Sequence, residues 1–249
     1  MESVSQALIA GGLVGLAFPL GGLLSRLNPF GHRGFAVAMA GGAGLLLAVA
    51  LIDLLPGARE GAGLGVALGS FLGAALVYSA LNRWIHARGG EHRKRCGGCV
   101  APDTEAQTPG SGMAIVVGSV MDALPEAVLL GAVAAMGGVS AGLVVALVLG
   151  NAAQAMSATA GLRHSGRSAR FVWGLWAAVG VSVAGLSAAA CFSSQFLPAT
   201  AQSVLMAVAA GGLLAMIAEA MLPEASEESP PFVGVVAALG AALFLLVHG

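Results

Sequence analysis

The chain has 249 residues and a formal net charge of −1; residues of the set Ala, Val, Ile, Leu, Met, Phe, Trp, Tyr and Cys make up 57% of it and charged residues only 9%. A water-wetted domain needs roughly a quarter of its residues charged, so this composition excludes a soluble globule, and the near-zero charge offers nucleic acid no basic surface. A mean hydropathy of +0.89 assigns the missing surface to lipid.

Apolar runs long enough to cross roughly 30 Å of hydrocarbon fall near residues 6–25, 35–56, 63–84, 113–135, 139–162, 170–192, 199–222 and 231–248. None alternates apolar with polar residues as a barrel strand does, so all eight are expected to be helices. The start, Met1-Glu2-Ser3-Val4, carries no basic segment, which predicts a retained first span rather than a cleaved leader. Glycine is abundant at 38 residues. Lipid supplies no hydrophobic drive between helices, so close backbone approach through small residues must hold them together. Gly41-Gly42-x-Gly44 and Gly211-Gly212 are candidate packing surfaces of this kind.

Basic residues orient the expected bundle. Arg26 and Arg33 lie in the first loop, Arg83, Arg88, Arg93, Lys94 and Arg95 in the third, and Arg163, Arg167 and Arg170 in the fifth; Arg59 alone lies in an even-numbered loop. The positive-inside rule then makes the odd loops cytoplasmic and places both termini outside. A bacterial inner (cytoplasmic) membrane is the expected location. The domain organisation is a single transmembrane unit, residues 1–249, with a flexible cytoplasmic loop at 86–112.

The second and seventh runs end alike, in Asp53-Leu54-Leu55-Pro56 and in Glu219-Ala220-Met221-Leu222-Pro223-Glu224. Each puts an acid shortly before Leu-Pro. In the topology above these helices run in opposite directions, so spans 1–3 and 6–8 read as inverted repeats around a central pair. Secondary transporters use such repeats and place substrate at their interface.

Ionisable groups inside lipid cost of order 3 kcal/mol or more each and persist mainly for function. Asp122 and Glu126 stand at i, i+4 in the fourth run, on one helix face, with Pro125 between them. Pro125 removes a backbone hydrogen bond and frees the carbonyl of Met121. Two carboxylates and a carbonyl make a site for a hard cation, while the bland alternative is a kinked helix whose acids pair with Ser or Asn neighbours. The fifth run supplies Asn151 and Gln154, which are either ligands to the same ion or helix cross-links.

These residues carry a resemblance. Met121-Asp122-Ala123-Leu124-Pro125-Glu126-Ala127 resembles the fourth-helix His-Asn-x-Pro-Glu-Gly motif of the ZIP (Zrt/Irt-like) metal transporters, and Gly150-Asn151-Ala152-Ala153-Gln154-Ala155 is similar to the second copy on their fifth helix. The ends of the second and seventh runs resemble the same elements of that family. The resemblance implies an all-α integral membrane protein with eight transmembrane helices in a 3+2+3 arrangement. It further implies transport of a divalent metal ion (zinc, manganese or iron) toward the cytoplasm, and a homodimer. The metal site would comprise Asp122, Glu126, Asn151 and Gln154, with Asp53, Glu219 and Glu224 along the pathway. The chain departs from the pattern where the motif His is Asp122, its Asn is Ala123 and its Gly is Ala127, where Ala153 and Gln154 replace Pro and an acid, and where the acidic position of the sixth helix falls near Val181. A paired binuclear centre is thereby reduced to one site, rich in oxygen, that favours a harder ion than zinc.

The third loop holds His86, His92, Cys96 and Cys99. Cys-x-x-Cys beside His can bind zinc, and the other reading is a basic loop with reduced thiols. Cys191, in an apolar run, reads as packing. No His-Glu-x-x-His is present, which argues against intramembrane metalloprotease chemistry. The alternative function that keeps the fold is a degenerate ZIP-like protein acting as a metal sensor or partner subunit. Expected partners are therefore membrane lipid, the metal ion and a second copy of the chain.

Overall fold

A computed structural model describes residues 2–27, 31–87, 111–228 and 232–248. Those residues form helices and turns, and no strand occurs among them. In chain order the helices are α1 (Glu2–Leu27), α2 (Gly31–Ala48, Val49–Leu54 and Leu55–Ala62 in continuous succession), α3 (Leu64–Ile85), α4 (Ser111–Met136), α5 (Ala141–His164), α6 (Ala169–Ser194), α7 (Ala199–Met216, Ile217–Met221 and Leu222–Glu228 in succession) and α8 (Val233–His248). Seven of them, α1 to α7, are long and apolar enough to cross a membrane. α8 is shorter, at 16 residues. The protein is thus an all-α membrane protein, and its outer face is apolar: Leu76 is 71% exposed, Phe196 74% and Leu246 82%.

The turns follow local chemistry. Gly137 and Gly138, at φ 149° and 117°, reverse the chain between α4 and α5 in a conformation that residues with a Cβ rarely adopt. Ser140 and Ser168 cap the next two helices, accepting hydrogen bonds from the N–H of Leu143 and Phe171.

Both α2 and α7 contain a widened turn. The N–H of Leu55 donates to the carbonyl of Ala50, and that of Leu222 to Ile217, each five residues back. Pro56 and Pro223 explain this. A proline ring crowds the carbonyl four residues earlier, here Ile52 and Glu219, and supplies no N–H to it, so the helix opens by one residue ahead of the proline. The apolar runs end at Pro56 and Leu222, but the helices continue to Ala62 and Glu228. A proline in the first turn beyond the wide one costs no further hydrogen bond.

Packing divides the helices into two groups. α1 lies against α4, α5 and α6, and α4 against α6; α2 lies against α7 and α8, and α3 against α7. α2 meets α5, and α4 meets α7, to join the groups. Glycine sets the closest approaches. A Cβ on Gly15 would stand 2.4 Å from the carbonyl oxygen of Gly180, so α1 and α6 cross backbone to backbone. A Cβ on Gly44 would stand 1.8 Å from the carbonyl of Ala237, and one on Gly211 2.0 Å from that of Phe71. The α2–α8 and α3–α7 seams therefore use the same device. Two-thirds of the α7 span is buried (67%) and 61% of α5, against 17% of α3. Polar groups on α5 and α7 consequently sit inside the bundle, while α3 offers one narrow face to it.

Candidate metal site

α4 runs unbroken through Pro125. Its Asp122 and Glu126 are each 1% exposed, as the i, i+4 spacing requires of residues on one inward face. On α5, Asn151 is 1% and Gln154 4% exposed. All four residues singled out from the sequence are therefore interior. Pro125 packs near Gly212 of α7, and Gly150 packs near Leu46 of α2 and Met221 of α7. These contacts set the α4 and α5 motifs against the other helix group.

Hydrogen bonds bring some of these residues together directly. Asn151 Nδ2 donates to Glu126 Oε2, tying α5 to α4. The hydroxyl of Tyr78 on α3 donates to Asp122 Oδ1. Asn151 presents the other end of its amide, Oδ1, buried and with no hydrogen-bond partner among the described residues. Ser157, one turn beyond Gln154, is fully buried, and its Oγ is in the same condition. Buried polar atoms of this kind are uncommon, because the lost hydration costs about 1–3 kcal/mol.

Glu219 is held elsewhere. It lies in the wide turn of α7, where Asn82 Nδ2 of α3 donates to its Oε2 at 2.8 Å and Ser79 Oγ donates to its Oε1. Asp53 and Glu224 are half-buried. Val181 is 74% exposed, so the sixth-helix position without an acid lies on the outer surface. His86 is exposed at the end of α3, and His92, Cys96 and Cys99 lie outside the described residues. Cys191 is fully buried, in keeping with a packing role.

Tyr78, Ser79 and Asn82 did not emerge from the sequence as site residues. A signal was present: Tyr78 is the only tyrosine in the chain, and the three stand at i, i+1 and i+4 in an otherwise apolar run. α3 thus holds one acid of α4 and one of α7 from a single stretch of helix. Beside Tyr78 opens an apolar cleft of about 560 Å³, bounded by α3, α4 and α7 and lined by residues that include Val77, Leu81, Met121, Pro125 and Gly212.

Among the described residues, no group of three His, Cys, Asp or Glu side chains converges. A cation at Asp122 and Glu126 would have to complete its shell from neutral oxygens, and Asn151 Oδ1 is an available one. Hard ions accept such sets, whereas zinc prefers nitrogen and sulfur. No protein-family model matches the chain, and no curated protein matches it.

Proposed function

We propose that the chain is a ZIP-like transporter that moves a divalent metal ion toward the cytoplasm through a site between α4 and α5. The observation that carries this reading is the burial of two carboxylates on one face of a membrane helix, one of them bonded to an α5 amide whose oxygen has no hydrogen-bond partner among the described residues. Buried intramembrane acids of this kind are costly and mark ion pathways. In the same reading all eight helices span the bilayer, in a 3+2+3 arrangement of inverted repeats around α4 and α5. The matched wide turns of α2 and α7 and the matched glycine contacts of the α2–α8 and α3–α7 seams support the repeat. In this reading both termini face outside a bacterial inner membrane, an orientation that the distribution of basic residues supports. The two helix groups supply surfaces that could slide past each other, exposing the site alternately to the two sides.

With carboxylate and amide oxygens in the site, the cargo is manganese or another harder ion in preference to zinc. The test is uptake into proteoliposomes of the purified chain. Manganese should enter, Glu126→Gln should reduce uptake to that of empty vesicles, and Asp122→His should shift preference toward zinc. A parent that strongly prefers zinc, or a Glu126→Gln variant that transports normally, would place the site on other residues.

One set of observations favours a second reading, a ZIP-like fold that senses metal or serves as a partner subunit. Asp122 and Glu126 already accept hydrogen bonds from Tyr78 and Asn151, so both acids could act as helix cross-links. In that case the parent transports no metal, while Glu126→Gln still lowers its melting temperature.

A further inference from the structure

The last turns of α1 and α5 and the first turns of α6 enclose a small cavity of about 140 Å³ that is separate from the acids of α4. Arg26 of α1 and Arg163 of α5 line it from different helices, with Thr159, Val172 and Trp173 completing much of its wall and no acidic residue in the lining among the described residues. Arg26 and Arg163 are both exposed at the helix ends, and an anion in the cavity they line would be attracted by two positive charges. Their planar forks suit the oxygens of a phosphate, which they can grip in pairs.

The floor adds a third donor. Thr159 is 3% exposed, and its Oγ1 accepts a hydrogen bond of 2.7 Å from Trp176 Nε1. With the oxygen oriented by that bond, the hydroxyl proton is left for an acceptor in the cavity. Trp176 is fixed in turn by stacking on Phe18 of α1, with ring centroids 5.8 Å apart. The nearby Arg167 is engaged over the ring of Phe171, its guanidinium carbon 5.2 Å from the centroid.

Position selects the source of the phosphate. The cavity lies where apolar spans give way to the basic turn Arg163-His164-Ser165-Gly166-Arg167, the level at which headgroups sit. Trp173 is 36% exposed beside it, and Leu23 and Leu27 of α1 are 41% and 65% exposed. These residues continue an apolar wall that acyl chains can cover and a free phosphate ion cannot. Basic pockets between transmembrane helices take anionic headgroups on the same physical grounds. We propose that this cavity binds the phosphate of an anionic phospholipid, held between Arg26 and Arg163, so that one lipid clamps the ends of α1, α5 and α6 together.

The experiment uses the full chain, purified in detergent and stripped of lipid. Thermal unfolding is followed while short-chain phosphatidylglycerol, phosphatidylcholine or inorganic phosphate is added. Phosphatidylglycerol should raise the melting temperature saturably, and phosphatidylcholine and inorganic phosphate at the same concentrations should not. Arg26→Gln with Arg163→Gln should weaken the phosphatidylglycerol response by about 25-fold, roughly five-fold for each arginine. Arg83→Gln, an exposed arginine on α3 outside the cavity, should leave the response unchanged. If the double variant does not fold, Ala169→Phe serves instead, because it fills the cavity from the exposed first residue of α6 while keeping both charges. An equal response in the parent and in Ala169→Phe would overturn the cavity as the site. A full response to inorganic phosphate alone would overturn the lipid as its occupant.

Discussion

The wide turns of α2 and α7 are built alike and surrounded differently. Each carries an acid, Asp53 or Glu219, and each helix has a glycine, Gly44 or Gly211, set against the backbone of a neighbouring helix. Those neighbours, α8 and α3, differ in chemistry. Seven residues beyond Phe71, α3 has Tyr78; seven beyond Ala237, α8 has Phe244, and both rings are buried, at 4% and 1% exposure. The next position is Ser79 on α3 and Leu245 on α8. The same packing scheme thus holds a polar seam on one side of the bundle and an apolar one on the other. Backbone packing and site chemistry are therefore set by different residues and should respond separately to substitution.

The largest expected effect concerns what the two seams share. Gly44→Val and Gly211→Val each drive side-chain atoms into a carbonyl, and each should destabilise by upward of about 3 kcal/mol. Thermal unfolding in detergent would measure this, and a large loss in one with none in the other would break the likeness of the seams. An intermediate effect belongs to the polar seam alone. Glu219→Gln removes a charged acceptor from Ser79 and Asn82, and the α3–α7 contact should weaken by about 1–2 kcal/mol. Hydrogen exchange would register it as faster exchange in α3 with α8 unchanged. The smallest effect makes α3 resemble α8. Tyr78→Phe should cost less than about 1 kcal/mol of stability. If the proposed cargo competes with that hydroxyl for Asp122, the half-saturating manganese concentration falls in this variant. An unchanged value would mean that Tyr78 and the cargo do not share Asp122.

Much of the helical framework was legible in the sequence because span length and apolarity are local properties. The runs near 63–84 and 170–192 lie within about two residues of α3 and α6 at either end. The extensions of α2 and α7 were missed because proline suggests a helix end, and only a turn of the wider kind lets the chain continue through it. That Asp122, Glu126, Asn151 and Gln154 face the interior was legible because charged and amide groups are rare in such runs and their burial follows from helical spacing. Tyr78, Ser79 and Asn82 were not. Their significance depends on which helices α3 meets, and no spacing within one helix encodes that. The same reason hid the placement of Arg26 and Arg163 at one cavity, since they are separated by more than half the chain and were read only as markers of orientation.

The wide turn in α2 also has a meaning in terms of phase. An α-helix turns by about 100° per residue, so the residue accommodated between Val49 and Leu54 resets the angular relation between the segments on either side. Deleting one residue from this helix while Pro56 keeps the wide turn in place would rotate Gly31–Ala48 by about 100° relative to Leu55–Ala62. Gly44 would leave Ala237 while Ala58 kept its place in the core. The turn therefore acts as a phase correction within the helix, and at this point in the chain a change of length is more disruptive than a change of side chain.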